Sequence, residues 1–328
     1  MTLLAATGLT KHYQISRGFG PASVVQALTE VSFTLDAGET LAIVGESGCG
    51  KSTLARCVAG LVEATSGTLA LSGEPAADLL KRDRMRFHRS IQMVFQDPYA
   101  SVNPRRKVGD TVADGLRLHH IVPRAQRRAK VLELLGRVGL AAEHMARYPH
   151  ELSGGQRQRV AIARALAVDP SVIVCDEPVS ALDVSVQAQV MNLLADVQRE
   201  RNVAYLFISH DLALVQHIAH RIAVMYLGQI VEIGSAAAFK RRLTHPYSQS
   251  LFAAAPRIGG TREALVPPLE GEMPSPIDPP SGCRFHTRCP HAVPRCAAEA
   301  PALRDVDGRL VRCHLAESIT AAATEAAV

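Results

Sequence analysis

The stretch TLAIVGESGCGKST, residues 40–53, decides how the chain is read. It opens with a compact aliphatic run, TLAIVG (40–45), whose lack of polar alternation marks a strand buried on both faces of a parallel sheet. It continues into GESGCGKST (45–53), which fits G-x-x-x-x-G-K-[ST] and stands after a buried strand and at the opening of a helix, as that motif must. The glycines let the backbone turn with its N–H groups inward as a nest for phosphate oxygens, and the positive end of the next helix adds to the attraction. The candidate phosphate-binding residues are therefore Gly45, Glu46, Ser47, Gly48, Cys49, Gly50, Lys51, Ser52 and Thr53. Lys51 is expected to reach the β- and γ-phosphates, and the Ser52 hydroxyl to ligate Mg²⁺. A glycine turn with an accidental lysine is the bland alternative, and the strand-and-helix context weighs against it.

Outward from this loop, SVIVCDEP (171–178) and VAYLFISH (203–210) repeat the aliphatic run, and helical patterns such as KSTLARCVAGL and GQRQRVAIARALA fall between the runs. Strand and helix in alternation predict an α/β fold. The helical face after the loop is expected to carry Leu54, Cys57 or Val58, and Leu61, with Cys57 and Cys175 as inert core thiols. SVIVCDEP delivers Asp176 to the C-terminal end of its strand, where ligands bind in such sheets. Asp176 would hold Mg²⁺, directly or through water, and Glu177 would orient or deprotonate the attacking water, a role typically worth ~10²–10⁴ in rate. Residues about 97–155 are helical and charged on one side, a small subdomain inserted into the α/β body, while PPLEGEMPSPIDPPSG is Pro-rich and predicted to link the body to a tail.

Composition narrows the class. The 328 residues are 47% hydrophobic and 20% charged, ordinary for a globular protein, and aliphatic residues must build a core that has no Trp. A net charge of +5 is too small for a nucleic-acid footprint, so no nucleic-acid partner is expected. The N-terminus MTLLAATGLTKHYQ lacks a secretory pattern, and no window approaches eighteen consecutive apolar residues. A cytosolic location with reduced thiols is expected.

LSGGQRQRVAIARAL (152–166), lying just ahead of the Asp176–Glu177 run, completes a set with the phosphate loop that resembles the ABC-type ATPases over roughly residues 1–255. VFQDPYASVNPR supplies Gln96, SALD (180–183) the D-loop with Asp183, ISHD (208–211) His210, and LTKHYQ the aromatic Tyr13. The resemblance implies a P-loop NTPase (RecA-like) core with an antiparallel β-subdomain, the inserted helical subdomain and a small C-terminal extension, divided at about 1–240 and 241–328. It also implies that Tyr13 stacks on adenine, that Gln96 and His210 sense the γ-phosphate, and that Gln96 joins Ser52 and Asp176 around Mg²⁺. Ser153, Gly154, Gly155 and Gln156 open a helix whose exposed N–H groups attract an anion. Since the loop at 45–53 already cradles one nucleotide, these residues make sense closing over ATP held by a second cassette, as family knowledge also implies.

A narrower resemblance, carried by GESGCGKSTLAR, RYPHELSGGQRQR, EPVSALDVSVQAQV, YLFISHDLALV and HPYSQSLFAAAP (245–256), is to the ATPases of oligopeptide and dipeptide importers, nearest to the second of their two types. It implies a different, homologous ATPase as partner, two transmembrane permease subunits, an extracytoplasmic binding protein, and a place on the cytoplasmic face of the cell membrane. A soluble ABC ATPase acting on ribosomes or DNA is the rival reading. It is disfavoured because one cassette carries only a modest helical insert.

The tail holds Cys283, Cys289, Cys296 and Cys313, spaced x5, x6 and x16. Spacing alone leaves an iron–sulfur cluster, zinc, free thiols and a disulfide open. The importer resemblance implies a [4Fe–4S] cluster, which is the expectation here, with zinc as the alternative and His286, His291 or His314 as spare ligands. Any such centre would stabilise a tail with little core of its own. Cys49 sits inside the electropositive nest, which would favour a reactive thiolate, against the plainer reading that only its backbone N–H matters.

Overall fold

The computed structural model describes residues 1–15, 23–97, 102–180, 182–253 and 271–325. Residues 98–101 of VFQDPYASVNPR, Ala181 of SALD and residues 254–270, which include the start of the Pro-rich stretch, lie outside the described residues.

The three aliphatic runs become β3 (Thr40–Val44), β7 (Val172–Asp176) and β8 (Ala204–Ile208), each buried along all five residues. With β6 (Ile91–Val94) and β9 (Arg221–Tyr226) they form a parallel sheet in the order β6-β7-β8-β3-β9, with Thr40 opposite Tyr205 and Val172 opposite Ala204. β10 (Gln229–Ser235) turns back antiparallel to β9. A hairpin of the tail, β11 (Arg304–Val306) and β12 (Arg309–Val311), then pairs onto β10 and completes an eight-stranded sheet. A second, antiparallel sheet is built from β1 (Thr2–Ile15), β2 (Ser23–Asp36), β4 (Ser66–Leu71) and β5 (Glu74–Pro75).

Alternation of side chains along the strands loads both faces of the large sheet. Val172, Val174, Leu206 and Ile208 face helix α1 (Lys51–Val58) and the antiparallel sheet, packing with Leu54, Leu4, Leu28 and Phe33. Ile173, Cys175, Tyr205 and Phe207 face the other way, against Val112, Leu134 and Ile162. Those three come from helices α2 (Val108–Leu118), α3 (Arg127–Arg137) and α4 (Gly154–Leu166). Each such side chain contributes roughly 1.5–3 kcal/mol by leaving water, so the inserted helices are held by the sheet itself. The expected apolar face of α1 is realised at Leu54, Cys57 and Val58 but not at Leu61, which is 53% exposed. The helix ends at Val58 and the chain turns through Gly60 (φ +69°), which carries Leu61 off the buried face.

The described part of the Pro-rich stretch, 271–282, contains no helix or strand, as Pro content predicts. Beyond it the tail packs on the body through Phe285, which is 1% exposed and lies beside Tyr226, Tyr247 and His245 at centroid distances of 5.2, 5.4 and 5.7 Å.

The expected metal centre in this tail is overturned. Among the described residues no group of three or more His, Cys, Asp or Glu side chains is arranged to hold a metal ion. Neither the [4Fe–4S] cluster nor zinc at Cys283, Cys289, Cys296 and Cys313 therefore stands, and all four are free thiols. The reason is geometric, since the side chains do not converge, and burial acts in the same direction at three of the four by favouring the neutral form. Burial raises the Cys283 thiol and pushes Cys289 and Cys313 up to about 11. Three of them pack as small apolar side chains, Cys313 with Val306, Val311 and Ala316, and Cys283 and Cys289 against the Phe285 cluster, while Cys296 is buried at 6% exposure. Two of the supposed spare ligands are turned to backbone, His286 Nδ1 to the Cys283 carbonyl and His314 Nε2 to that of Glu299.

Candidate active site

The turn between β3 and α1 is shaped by what surrounds it. Gly50 has φ +109°, and a Cβ there would come 2.4 Å from the Ala27 carbonyl oxygen, so no other residue fits this approach of loop to β2. Lys51 is buried and donates from Nζ to the Gly45 and Glu46 carbonyls at 2.8 and 2.9 Å, clasping the loop around its own ammonium. Cys49 is 1% exposed. Burial pushes its thiol up, outweighing the opposing charge of Lys51. The reactive thiolate considered from sequence is thus replaced by a packed neutral thiol. The Glu46 N–H, counted from sequence among the phosphate donors, is given to the Tyr247 hydroxyl at 2.9 Å.

A cleft of about 580 Å³ opens over this loop. Ser47, Gly48, Gly50, Lys51, Ser52 and Thr53 form its floor, and Gln96, Glu177, His210 and Tyr13 stand on its walls. Gly45, Glu46 and Cys49 lie behind this lining. The Ser52 hydroxyl donates to Asp176 Oδ1 at 3.1 Å. Asp176 is buried, and burial raises its carboxyl pKa against the lowering effect of the Ser52 bond. A buried carboxylate beside a hydroxyl is a hard-oxygen donor pair suited to a divalent cation.

Glu177, one residue beyond β7, turns into the left-handed region at φ +47°, a conformation costing about 1–3 kcal/mol for a residue with a side chain. Its N–H bonds the Ile208 carbonyl at 3.0 Å and its carbonyl accepts from Ser180 N–H at 3.3 Å, which holds the turn. There Glu177 Oε2 accepts from Gln96 Nε2 at 3.0 Å and lies 3.1 Å from His210 Nδ1. Three residues separated widely in sequence thus meet at one carboxylate.

On the far side Tyr13 has the Lys11 ammonium 4.9 Å from its ring centre. Gln26, Leu227, Gly228 and Pro276 also line the cleft, and sequence reasoning found none of them. They carry no motif, and Pro276 lies 225 residues from Lys51 along the chain, so no local signal joins it to the loop.

Ser153, Gly154, Gly155, Gln156 and Asp183 do not line this cleft. Ser153 caps α4 in a reciprocal pair, its hydroxyl accepting from Gln156 N–H at 3.3 Å and its own N–H donating to Gln156 Oε1 at 3.0 Å. Ser153 and Gly154 are exposed, and so is Asp183, which begins the helix Val184–Arg201.

Comparison with known proteins places this geometry. Residues 28–180 match the family described as ABC transporter, and residues 231–296 match the C-terminal region of oligopeptide/dipeptide transporters. A probable peptide ABC transporter ATP-binding protein of Sinorhizobium fredii is 53% identical over 98% of this chain and 92% of its own length. The dipeptide transport ATP-binding protein DppF of Escherichia coli is 49% identical over 95% of this chain and 93% of its own. A solved dimeric ABC transporter cassette, MJ0796, superposes with a TM-score of 0.64 at 28% identity, covering 71% of this chain and 99% of the cassette.

Proposed function

The chain belongs to the ATP-binding proteins of the ABC transporter family, and from that premise we propose that it binds and hydrolyses MgATP to drive peptide import. The convergence of Gln96 and His210 on Glu177, over a phosphate loop and beside Asp176, carries this reading. Lys51 and the loop N–H groups hold the phosphates, and Tyr13 receives the adenine. Ser52, Asp176 and Gln96 would hold Mg²⁺, which when bound supplies positive charge to the β- and γ-phosphate oxygens. Glu177 takes the proton from the attacking water. His210 and Gln96 orient its carboxylate and report the state of the γ-phosphate.

The exposed Ser153–Gln156 helix start and Asp183 serve the nucleotide of a second, homologous cassette, so two chains close over two ATP molecules. The names of the relatives support a peptide cargo, and the proposed assembly adds two membrane-spanning permease subunits and an external binding protein. No helix among the described residues is long and apolar enough to cross a membrane, and the chain would act against the permeases from the cytoplasmic side. The test is uptake of a labelled dipeptide into vesicles carrying the reconstituted transporter. MgATP-dependent uptake lost with Ser153→Ala/Gly154→Asp in both cassettes supports the reading; uptake indifferent to that change refutes it.

A further inference from the structure

The tail folds back over the nucleotide cleft. The Pro276 carbonyl accepts from Gln26 N–H at 2.9 Å, and Arg284, 9% exposed, donates to the Leu227 carbonyl and to Gln26 Oε1. Arg288 reaches the phosphate loop itself. Its side chain is 7% exposed and donates from both terminal nitrogens to the two Glu46 carboxylate oxygens, at 2.9 and 3.3 Å. Its guanidinium also lies 5.9 Å from the centre of the Tyr226 ring.

Glu46 is the sole acid in GESGCGKST, a carboxylate at the edge of a nest built for an anion. Its backbone is anchored without Arg288, through the Tyr247 hydroxyl and the Lys51 bond to its carbonyl. Mechanical support for this residue is therefore already supplied by the body. What the tail adds is charge: a forked, nearly buried cation matched to both carboxylate oxygens.

We propose that Arg288 is a positioning residue for the nucleotide, which cancels the loop's one negative charge so that the triphosphate is admitted and ATP affinity depends on the docked tail. The proposal rests on the ATP-binding role above. An uncompensated carboxylate just behind the loop that holds the phosphates repels them across that loop, and Arg288→Gln is expected to weaken MgATP binding about tenfold.

The experiment is equilibrium titration of the full chain with MgATP by calorimetry. Arg288→Gln combined with Glu46→Gln should recover most of the affinity lost in R288Q alone, because the charge to be cancelled is gone. A mere anchor predicts the opposite, since the double variant lacks the same bond. Arg288→Lys, which keeps the charge without the fork, should stay within about threefold of wild type. R288Q binding like wild type, a double variant as weak as R288Q, or R288K as weak as R288Q would each overturn the proposal. A wild-type chain that fails to bind MgATP refutes the ATP-binding role itself, whereas wild-type binding with an indifferent R288Q removes only Arg288.

Discussion

Lowering the pH should loosen the tail through His245. This residue is 1% exposed, and its Nδ1 accepts from Tyr247 N–H at 3.1 Å. The ring also hydrogen-bonds the Arg312 backbone in the tail and packs beside Phe285. Burial lowers its pKa to about 3, because a proton on Nδ1 would face the Tyr247 donor in a site that does not solvate the charge. The unfolded chain takes that proton near pH 6.5. Stability from neutral His245 is thus fully present above about pH 6.5 and is lost as pH falls toward the folded pKa of about 3. At about 1.4 kcal/mol per pH unit, the loss between pH 6.5 and 5 is about 2 kcal/mol. Urea unfolding at pH 7.5 and 5.0 measures it, with His245→Asn as reference, a variant that keeps an acceptor for Tyr247 N–H and does not titrate. The wild type should lose about 2 kcal/mol more than H245N over that interval. Equal losses in the two proteins would refute the assignment.

Glu177→Gln should retain MgATP binding while turnover in the assembled transporter falls by ~10² or more, and unchanged phosphate release would remove Glu177 from its role. Gly50→Ala should abolish MgATP binding in calorimetry, since the added Cβ meets the Ala27 carbonyl oxygen at 2.4 Å; normal affinity would contradict the loop geometry. Arg309→Met leaves buried Glu232 without the cation 3.5 Å away and should cost about 3–5 kcal/mol, read as a fall in melting temperature, so an unchanged melting temperature counts against that pair. Cys49 should resist alkylation at neutral pH with or without MgATP, because its thiol is buried and held neutral; rapid labelling of the native chain would show otherwise.

Local chemistry made much of the site readable in advance. TLAIV, VIVCD and AYLFI are too uniformly aliphatic to be anything but strands buried on two faces, and GESGCGKST and LSGGQ carry their turn and cap geometry within a few residues. What lay beyond reach were meetings between distant segments. Nothing in the neighbourhood of Glu46 announces that Tyr247 takes its N–H or that Arg288, 242 positions onward, takes its carboxylate. Spacing left the role of the four tail cysteines open and the importer resemblance implied a cluster, yet thiols act as ligands only when their geometry converges, and among the described residues no such group is assembled. Backbone conformation is set by neighbours in sequence, whereas charge state and partner are set by neighbours in space. The strands and loops could therefore be read from residues 40–210, while the grip of the tail on the nucleotide cleft existed only once the sheet had brought the two ends of the chain together.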